Sequence, residues 1–295
     1  MTNSGPMHSR RAFVLGGLTV GIFPAPLRAQ PALSLAYLAN VPGSIGVYAR
    51  TMKDGPPIVA YHDGEPFPTA STIKVLIMAT AFRELDAGML KIDTPVMISR
   101  NDMVGGSDTF QNADPGRRYP LGSLIDAMIK QSDNTASNAL ISHLGFDAIR
   151  RTAEAAGMTS TRLRRHFLDW TAIVKHNENV STPRDMATLL YQIERGSREG
   201  MATIASSYSC RQMIDIMLGQ EDHDKIPRGL PRGTHVANKT GEITGVRSDV
   251  AIVEPFGDVP YIITVMTKEL QDYGAGVAAI ARVARDVHKA VMSGG

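Results

Sequence analysis

Thr69-Ala70-Ser71-Thr72-Ile73-Lys74 decides how the remainder of this sequence reads. A Ser stands three residues before a Lys, at the head of an apolar run that continues Val75-Leu76-Ile77-Met78-Ala79. Positions i and i+3 share a helix face, so the spacing predicts that Ser71 opens a helix and Lys74 returns beside it one turn later. A Ser hydroxyl is a poor nucleophile without a base in hydrogen-bond reach, and a desolvated Lys can be that base. Free N–H groups at a helix N-terminus also favour developing negative charge. The same residues read equally as a capping Ser followed by a solvated Lys, and S-x-x-K alone does not separate the two.

Working outward, 34–38 and 44–50 alternate and 58–61 follows a Gly-Pro-Pro turn, which predicts three strands. Lys53-Asp54-Gly55 is a hairpin signal. The helix that begins at Ser71 is predicted to run to about Ala87, with Gly88 placed to end it. From there to about residue 220 the apolar spacing is mostly helical, over 121–130, 134–144, 146–156 and 183–193. The last of these has Thr182 as N-cap and Pro183 at its first position. The Arg-rich stretch 161–181 lacks periodicity and reads as a long surface loop, a type that is often functional. Short β-rich runs return at 234–240, 249–254 and 261–267, and an amphipathic helix over about 275–292 closes the chain. Strands at both ends with helices between imply an α/β (α+β) organisation. The expected division is an α/β lobe from 30–66 and 222–295, with a helical lobe, 67–221, inserted between them.

With 43% hydrophobic and 20% charged residues in 295, the composition is that of a globular chain. A net charge of +2 gives no reason to invoke nucleic acid or an anionic membrane. Cys210 is the only cysteine, which excludes a disulfide framework or a zinc-thiolate site. Neither a metal-ligand cluster nor a phosphate loop or cofactor motif is present in the sequence, so no cofactor is expected. At the N-terminus, Arg10-Arg11 precedes an apolar stretch to about Phe23, and Pro24-Ala25-Pro26-Leu27-Arg28-Ala29 ends in small residues suited to cleavage. The stretch is short of the ~20 residues that span a bilayer. It resembles a twin-arginine export signal over 1–29, which predicts a periplasmic or secreted protein with no membrane span. The other reading is a basic tail before a buried segment.

Two further triplets bear on Ser71. In Ser132-Asp133-Asn134, between two predicted helices, a second Ser can relay a proton to a leaving group. The Asn amide can hold a substrate carbonyl and the nearby Lys. The same triplet is also a good N-cap. Lys239-Thr240-Gly241 ends a predicted strand and offers a positive charge, a hydroxyl for a carboxylate, and room for a ligand along the edge; a plain strand-end turn is the alternative. The three motifs follow one another at separations of 61 residues (Ser71 to Ser132) and 107 residues (Ser132 to Lys239).

In this order and context the chain resembles the class A β-lactamases and their penicillin-binding relatives, over about 34–292. The resemblance implies a five-stranded antiparallel sheet with flanking helices and an inserted all-helical lobe. It implies Ser71 as nucleophile, Lys74 as its activator and Ser132 as proton relay. Asn134 is then a substrate ligand, and Lys239, Thr240 and Gly241 form the carboxylate-binding edge. The backbone N–H groups of Ser71 and Glu242 make an oxyanion hole. Arg247 reads either as the family's additional carboxylate-binding arginine or as an exposed strand charge.

Two departures stand out. The β-lactamases carry a loop Glu that activates the deacylating water, and here either His166 or Phe167 falls at its place. Asp169 is the nearest carboxylate and reads either as a substitute base or as a partner of neighbouring arginines; Glu178 reads as the end of the loop. Gly106 stands where an aromatic usually lines the pocket. The expected activity is that of an exported, monomeric serine hydrolase opening small β-lactam amides, with a role in antibiotic resistance. The alternatives are a D,D-peptidase or esterase on a peptidoglycan-like acyl substrate, and a penicillin-binding sensor or sink acylated once.

Overall fold

The computed structural model describes residues 1–3, 5, 33–106, 109–199 and 204–294. The export-signal expectation for 1–29 falls almost wholly outside them. The chain separates near residue 31, and everything below belongs to the unit 32–295. In chain order its elements are β1 (Ser44–Thr51), β2 (Val59–Tyr61), β3 (Phe67–Pro68), α1 (Lys74–Asp86), β4 (Pro95–Met97), β5 (Arg118–Pro120), α2 (Leu121–Lys130), α3 (Asn134–Leu144), α4 (Phe146–Ala155), α5 (Trp170–Val174), β6 (Val180–Ser181), α6 (Pro183–Glu199), α7 (Ser207–Leu218), β7 (Val236–Ile243), β8 (Val246–Val253), β9 (Tyr261–Lys268) and α8 (Tyr273–Ser293).

Five strands form one antiparallel sheet in the order β2-β1-β9-β8-β7. Its two faces follow from strand alternation. Val250 and Ile252 of β8, with Ile262 and Met266 of β9, face the main helical core. Ala251, Val253, Ile263 and Val265 face the other way, onto α8. Both faces are covered, which explains why 250–253 of β8 and 261–266 of β9 read as nearly continuous apolar runs. On α8 the buried residues Ile280, Val283, Ala284, Val287 and Val291 recur at helical spacing and make one apolar stripe. By contrast α1 is buried on every side from Lys74 to Phe82, the pattern of a helix inside a core.

Two expectations change. The alternation at 34–38 does not make a strand; Ala36–Asn40 is a short 3-10 helix. Alternation over so few residues cannot be told from a 3-10 turn, which eclipses side chains three apart. Nor does Ser71 begin the α-helix itself. It lies inside a one-turn 3-10 helix, Ala70–Ile73, that runs directly into α1 at Lys74. Among the described residues no helix is long and apolar enough to cross a membrane.

Gly46 in β1 shows how tightly the sheet meets the helical core. A Cβ there would lie 2.6 Å from the Phe67 ring and 2.8 Å from Pro183 Cγ. Gly46→Ala is therefore expected to cost about 1–3 kcal/mol by overpacking. A denaturant melt with a lower midpoint and an unchanged slope would show it.

Candidate active site

Ala70 takes a left-handed backbone, φ 45°, which is costly for a residue with a Cβ and turns the chain sharply into the Ser71 segment. The edge strand β7 packs against this turn. A Cβ at Gly241 would lie 2.8 Å from Thr69 O and 3.1 Å from Ser71 N. Only glycine lets β7 come so close. Across from it, the α2–α3 turn holds Ser132, also left-handed at φ 59°. Asp133 caps α3 by accepting from Ala136 N at 2.7 Å, and its other oxygen accepts from Phe110 N at 2.9 Å. The capping reading of the triplet is thus met by Asp133 alone, and Ser132 and Asn134 are left to face Lys74.

Lys74 is fully buried. Its Nζ donates to Ser132 O at 2.6 Å and to Asn134 Oδ1 at 2.9 Å, and lies 3.2 Å from Ser132 Oγ. The Phe167 ring covers it, with Nζ 4.5 Å from the ring centroid. Burial, with the Lys239 charge second, holds its pKa well below the ordinary lysine value, against a smaller opposing pull from Asp133. A neutral amine has two N–H donors for the two carbonyls and one lone pair for a hydroxyl proton. The three contacts admit either form, and burial with the Lys239 charge favours the neutral one, which a general base requires.

Lys239 is likewise buried; its Nζ donates to Thr240 O at 3.0 Å. Burial lowers its pKa to about 7, against the attraction of Asp249 and Asp222. Asp249 sits opposite Thr240 on β8 and accepts from Asn238 Nδ2 and Ile226 N, both at 3.0 Å. Burial raises that carboxyl to about 6.

A cavity of about 1020 Å³ lies between these elements. Ser71, Ser132, Asn134, Thr240 and Glu242 line it, while Lys74 and Lys239 are buried beneath its surface. Gly106 is part of the wall, and a Cβ there would lie 2.7 Å from Asn134 Nδ2. The missing aromatic therefore reflects close packing on Asn134.

Two expected residues are not brought to the cavity. Arg247 Nη1 donates to Ile243 O at 3.0 Å and Val246 O at 2.7 Å, and its guanidinium lies 4.0 Å from the Tyr273 ring centroid. Asp169 caps α5 by accepting from Ala172 N at 3.0 Å. Neither is among the lining residues.

Of His166 and Phe167, the loop places Phe167 in the cavity wall. Asn138 Oδ1 accepts from Phe167 N at 2.7 Å, and Asn138 Nδ2 donates to Phe167 O at 3.1 Å. His166 turns away, 3.2 Å from Ser142 Oγ and edge-on to Phe146. The loop neck is closed by Arg165 Nη2 with Glu178 Oε1 at 2.5 Å, and by Asn179 Oδ1 accepting from Arg164 N and Arg165 N. Glu178 lines the cavity as well as ending the loop. The sequence reading missed Asn138, although it stands four residues after Asn134 on α3 and so shares its face. It also missed Leu168, Trp170 and Ile173, which give the cavity an apolar wall.

Comparison with known proteins places this geometry in context. The model of the β-lactamase enzyme family matches residues 32–291. A carbapenem-hydrolyzing β-lactamase of Klebsiella oxytoca is 30% identical over 253 residues, 82% of this chain and 83% of its own. Among solved structures, a PBP-A mutant in an acyl-enzyme complex with penicillin G superposes with a TM-score of 0.78 at 27% identity, covering 88% of this chain and 94% of its own. A β-lactamase from Sphaerobacter thermophilus also scores 0.78, at 28% identity and 88% and 95% coverage.

In the roles that the resemblance implies, Lys74 must be neutral to take a proton and Lys239 charged to hold an anion, so the two lysines would set the pH dependence. The acylation kcat/KM for a carboxylate-bearing substrate should therefore fall as pH rises through about 7, where Lys239 loses its proton. Lys239→Arg, which stays charged, should remove that alkaline limb. A profile flat between pH 6 and 9 in the unsubstituted enzyme would contradict this assignment.

Proposed function

This chain belongs to the β-lactamase enzyme family, and from that premise we propose that it opens β-lactam amides through an acyl-Ser71 intermediate that it releases slowly. Ser71 Oγ attacks the carbonyl while neutral Lys74 takes its proton. Ser132, bonded to the same Nζ, returns the proton to the leaving nitrogen. The Ser71 and Glu242 N–H groups hold the oxyanion, and Lys239 with Thr240 receives the substrate carboxylate. The atoms balance: the C–N bond breaks, the Ser71 ester forms, and the hydroxyl proton ends on nitrogen.

One observation carries the slow release. Of the two residues that the resemblance offers at the deacylating Glu's position, Phe167 lines the cavity with its ring over Lys74, and His166 turns away. An aromatic ring can neither accept a proton from water nor orient one. The cavity carboxylate on the same loop, Glu178, is bound to Arg165. The likeness to a PBP-A mutant solved as an acyl-enzyme complex with penicillin G supports the acylation step of this reading. It also favours a second one, a D,D-peptidase or esterase using the same groups, for which release of D-Ala from a cell-wall peptide is the discriminating assay.

The enzyme is further proposed to act outside the cytoplasm as a monomer. Arg10→Lys with Arg11→Lys should block processing of the precursor, and normal processing of the double variant would remove the twin-arginine route.

Two variants test the chemistry. Ser71→Ala should abolish covalent labelling by benzylpenicillin. Phe167→Glu should place a carboxylate beside Lys74 and raise deacylation by about 10²–10⁴-fold, the usual contribution of a positioned general base. An unchanged deacylation rate in a folded Phe167→Glu variant would mean that the missing base is not what limits release.

A further inference from the structure

Asn134, Asn138 and Ser142 stand at four-residue intervals on α3 and form one polar stripe. Asn134 holds Lys74, and Asn138 holds both backbone groups of Phe167. Ser142 is the third rung, and neither the acylation chemistry nor the cavity wall uses it. Its Oγ lies between two titratable groups, 2.6 Å from Asp102 Oδ1 and 3.2 Å from His166 Nε2.

The hydrogens fix the direction of this chain. Asp102 as a carboxylate only accepts, so Ser142 gives it the single hydroxyl proton. The Ser142 oxygen then has only lone pairs for His166, whose Nε2 must carry a proton and donate it. Asp102 is 2% exposed and firmly held: Oδ2 accepts from Ser99 N at 2.8 Å and from Ser99 Oγ at 2.5 Å. Its carbonyl also accepts from Asn138 Nδ2 at 3.3 Å. Two connections therefore run from Asp102 to adjacent loop residues, one through Asn138 to Phe167 and one through Ser142 to His166. His166 is further seated edge-on against Phe146, with ring centroids 5.2 Å apart. The two side chains leave the loop on different sides, since Phe167 lines the cavity and His166 does not. A grip on His166 outside the cavity thus helps to fix where the Phe167 ring lies inside it.

We propose that Asp102, Ser142 and His166 form an outer clamp that holds the loop in place and so keeps the Phe167 ring over Lys74. They are positioning residues, and none of them lines the cavity. The inference rests on the proposed role of Lys74 as the base of Ser71 acylation and adds how its dry surroundings are maintained. With the clamp open, α3 grips the loop at Phe167 through Asn138 alone, water reaches Nζ, and the burial that keeps Lys74 neutral is weakened. Lys239 and Asp133, the charged groups that act on Lys74, stay as they are.

Ser142 is exposed and Ala is the better helix former, so Ser142→Ala opens the clamp without endangering α3. Amide hydrogen exchange over 164–170 should quicken by about two- to tenfold, the worth of one side-chain hydrogen bond, with no change over 121–130. The acidic limb of acylation kcat/KM with benzylpenicillin should move up by about half a pH unit or more, because a hydrated Lys74 keeps its proton to higher pH. Ser142→Thr, which retains a hydroxyl, should restore both. His166→Ala should repeat both changes, and combining it with Ser142→Ala should do no more than His166→Ala alone. Unchanged exchange in Ser142→Ala would overturn the clamp. Faster exchange with an unmoved acidic limb would overturn its hold on Phe167 over Lys74. If benzylpenicillin acylates none of these proteins, the β-lactam reading fails, and hydrogen exchange alone decides the clamp.

Discussion

Lys74 is an amine taken wholly out of water, with burial and a second lysine favouring its neutral form. Two carbonyl oxygens and one hydroxyl surround Nζ, and an aromatic face closes the remaining side. Keeping a charged ammonium in that place is expensive, since burial and the neighbouring Lys239 act in the same direction. The architecture around it reads as the means of keeping it there. α1 is buried on all sides from Lys74 to Phe82, and the α2–α3 turn takes a strained left-handed Ser132 that presents a carbonyl and a hydroxyl together to Lys74. Asp133 ties that turn to α3 and to Phe110, so the strain does not relax.

The same economy of space governs the walls. Gly241 admits the edge strand against the Ser71 turn, and Gly106 admits its segment against Asn134. In both places a single methyl group would meet a polar atom of the site. Along the β7 edge the lysines and carboxylates alternate: Lys239 above Asp249, Lys225 between Asp222 and Glu242, Arg247 beside Glu242. A buried charge without a partner would be lost to neutralisation, and here Lys225 and Arg247 each have a carboxylate within 4 Å, while Lys239 feels Asp249 and Asp222 only at longer range. Lys74 is the exception, with another lysine as its strongest charged neighbour, and it is the group whose neutral form the chemistry uses.

Much of this was legible in the sequence, for reasons that differ by residue. The helices over 121–130 and 134–144 are found where the apolar spacing puts them, because their buried faces are long and periodic. Ser71, Ser132, Asn134 and Thr240 are brought to one cavity, as three motifs at fixed spacing imply. What the sequence hides is direction. Arg247 lies where a carboxylate-binding arginine is expected in the chain, but its guanidinium is taken by carbonyls and a ring that no spacing rule anticipates. Asp169 is the nearest loop carboxylate in sequence, yet it caps the helix that begins at the next residue, accepting from Ala172 N. Choosing Phe167 over His166 depended on Asn138, a contact between positions 29 residues apart.

The central claim is that Ser71 acylates readily and that Phe167 leaves the ester without a base. Intact mass of the protein without residues 1–29, followed over time after mixing with benzylpenicillin, tests it most directly. The account predicts rapid appearance of one adduct of the mass of the whole drug, persisting long after acylation is complete. Free enzyme returning within seconds, with many equivalents of drug hydrolysed, would contradict it and require a deacylating group other than the one Phe167 displaces.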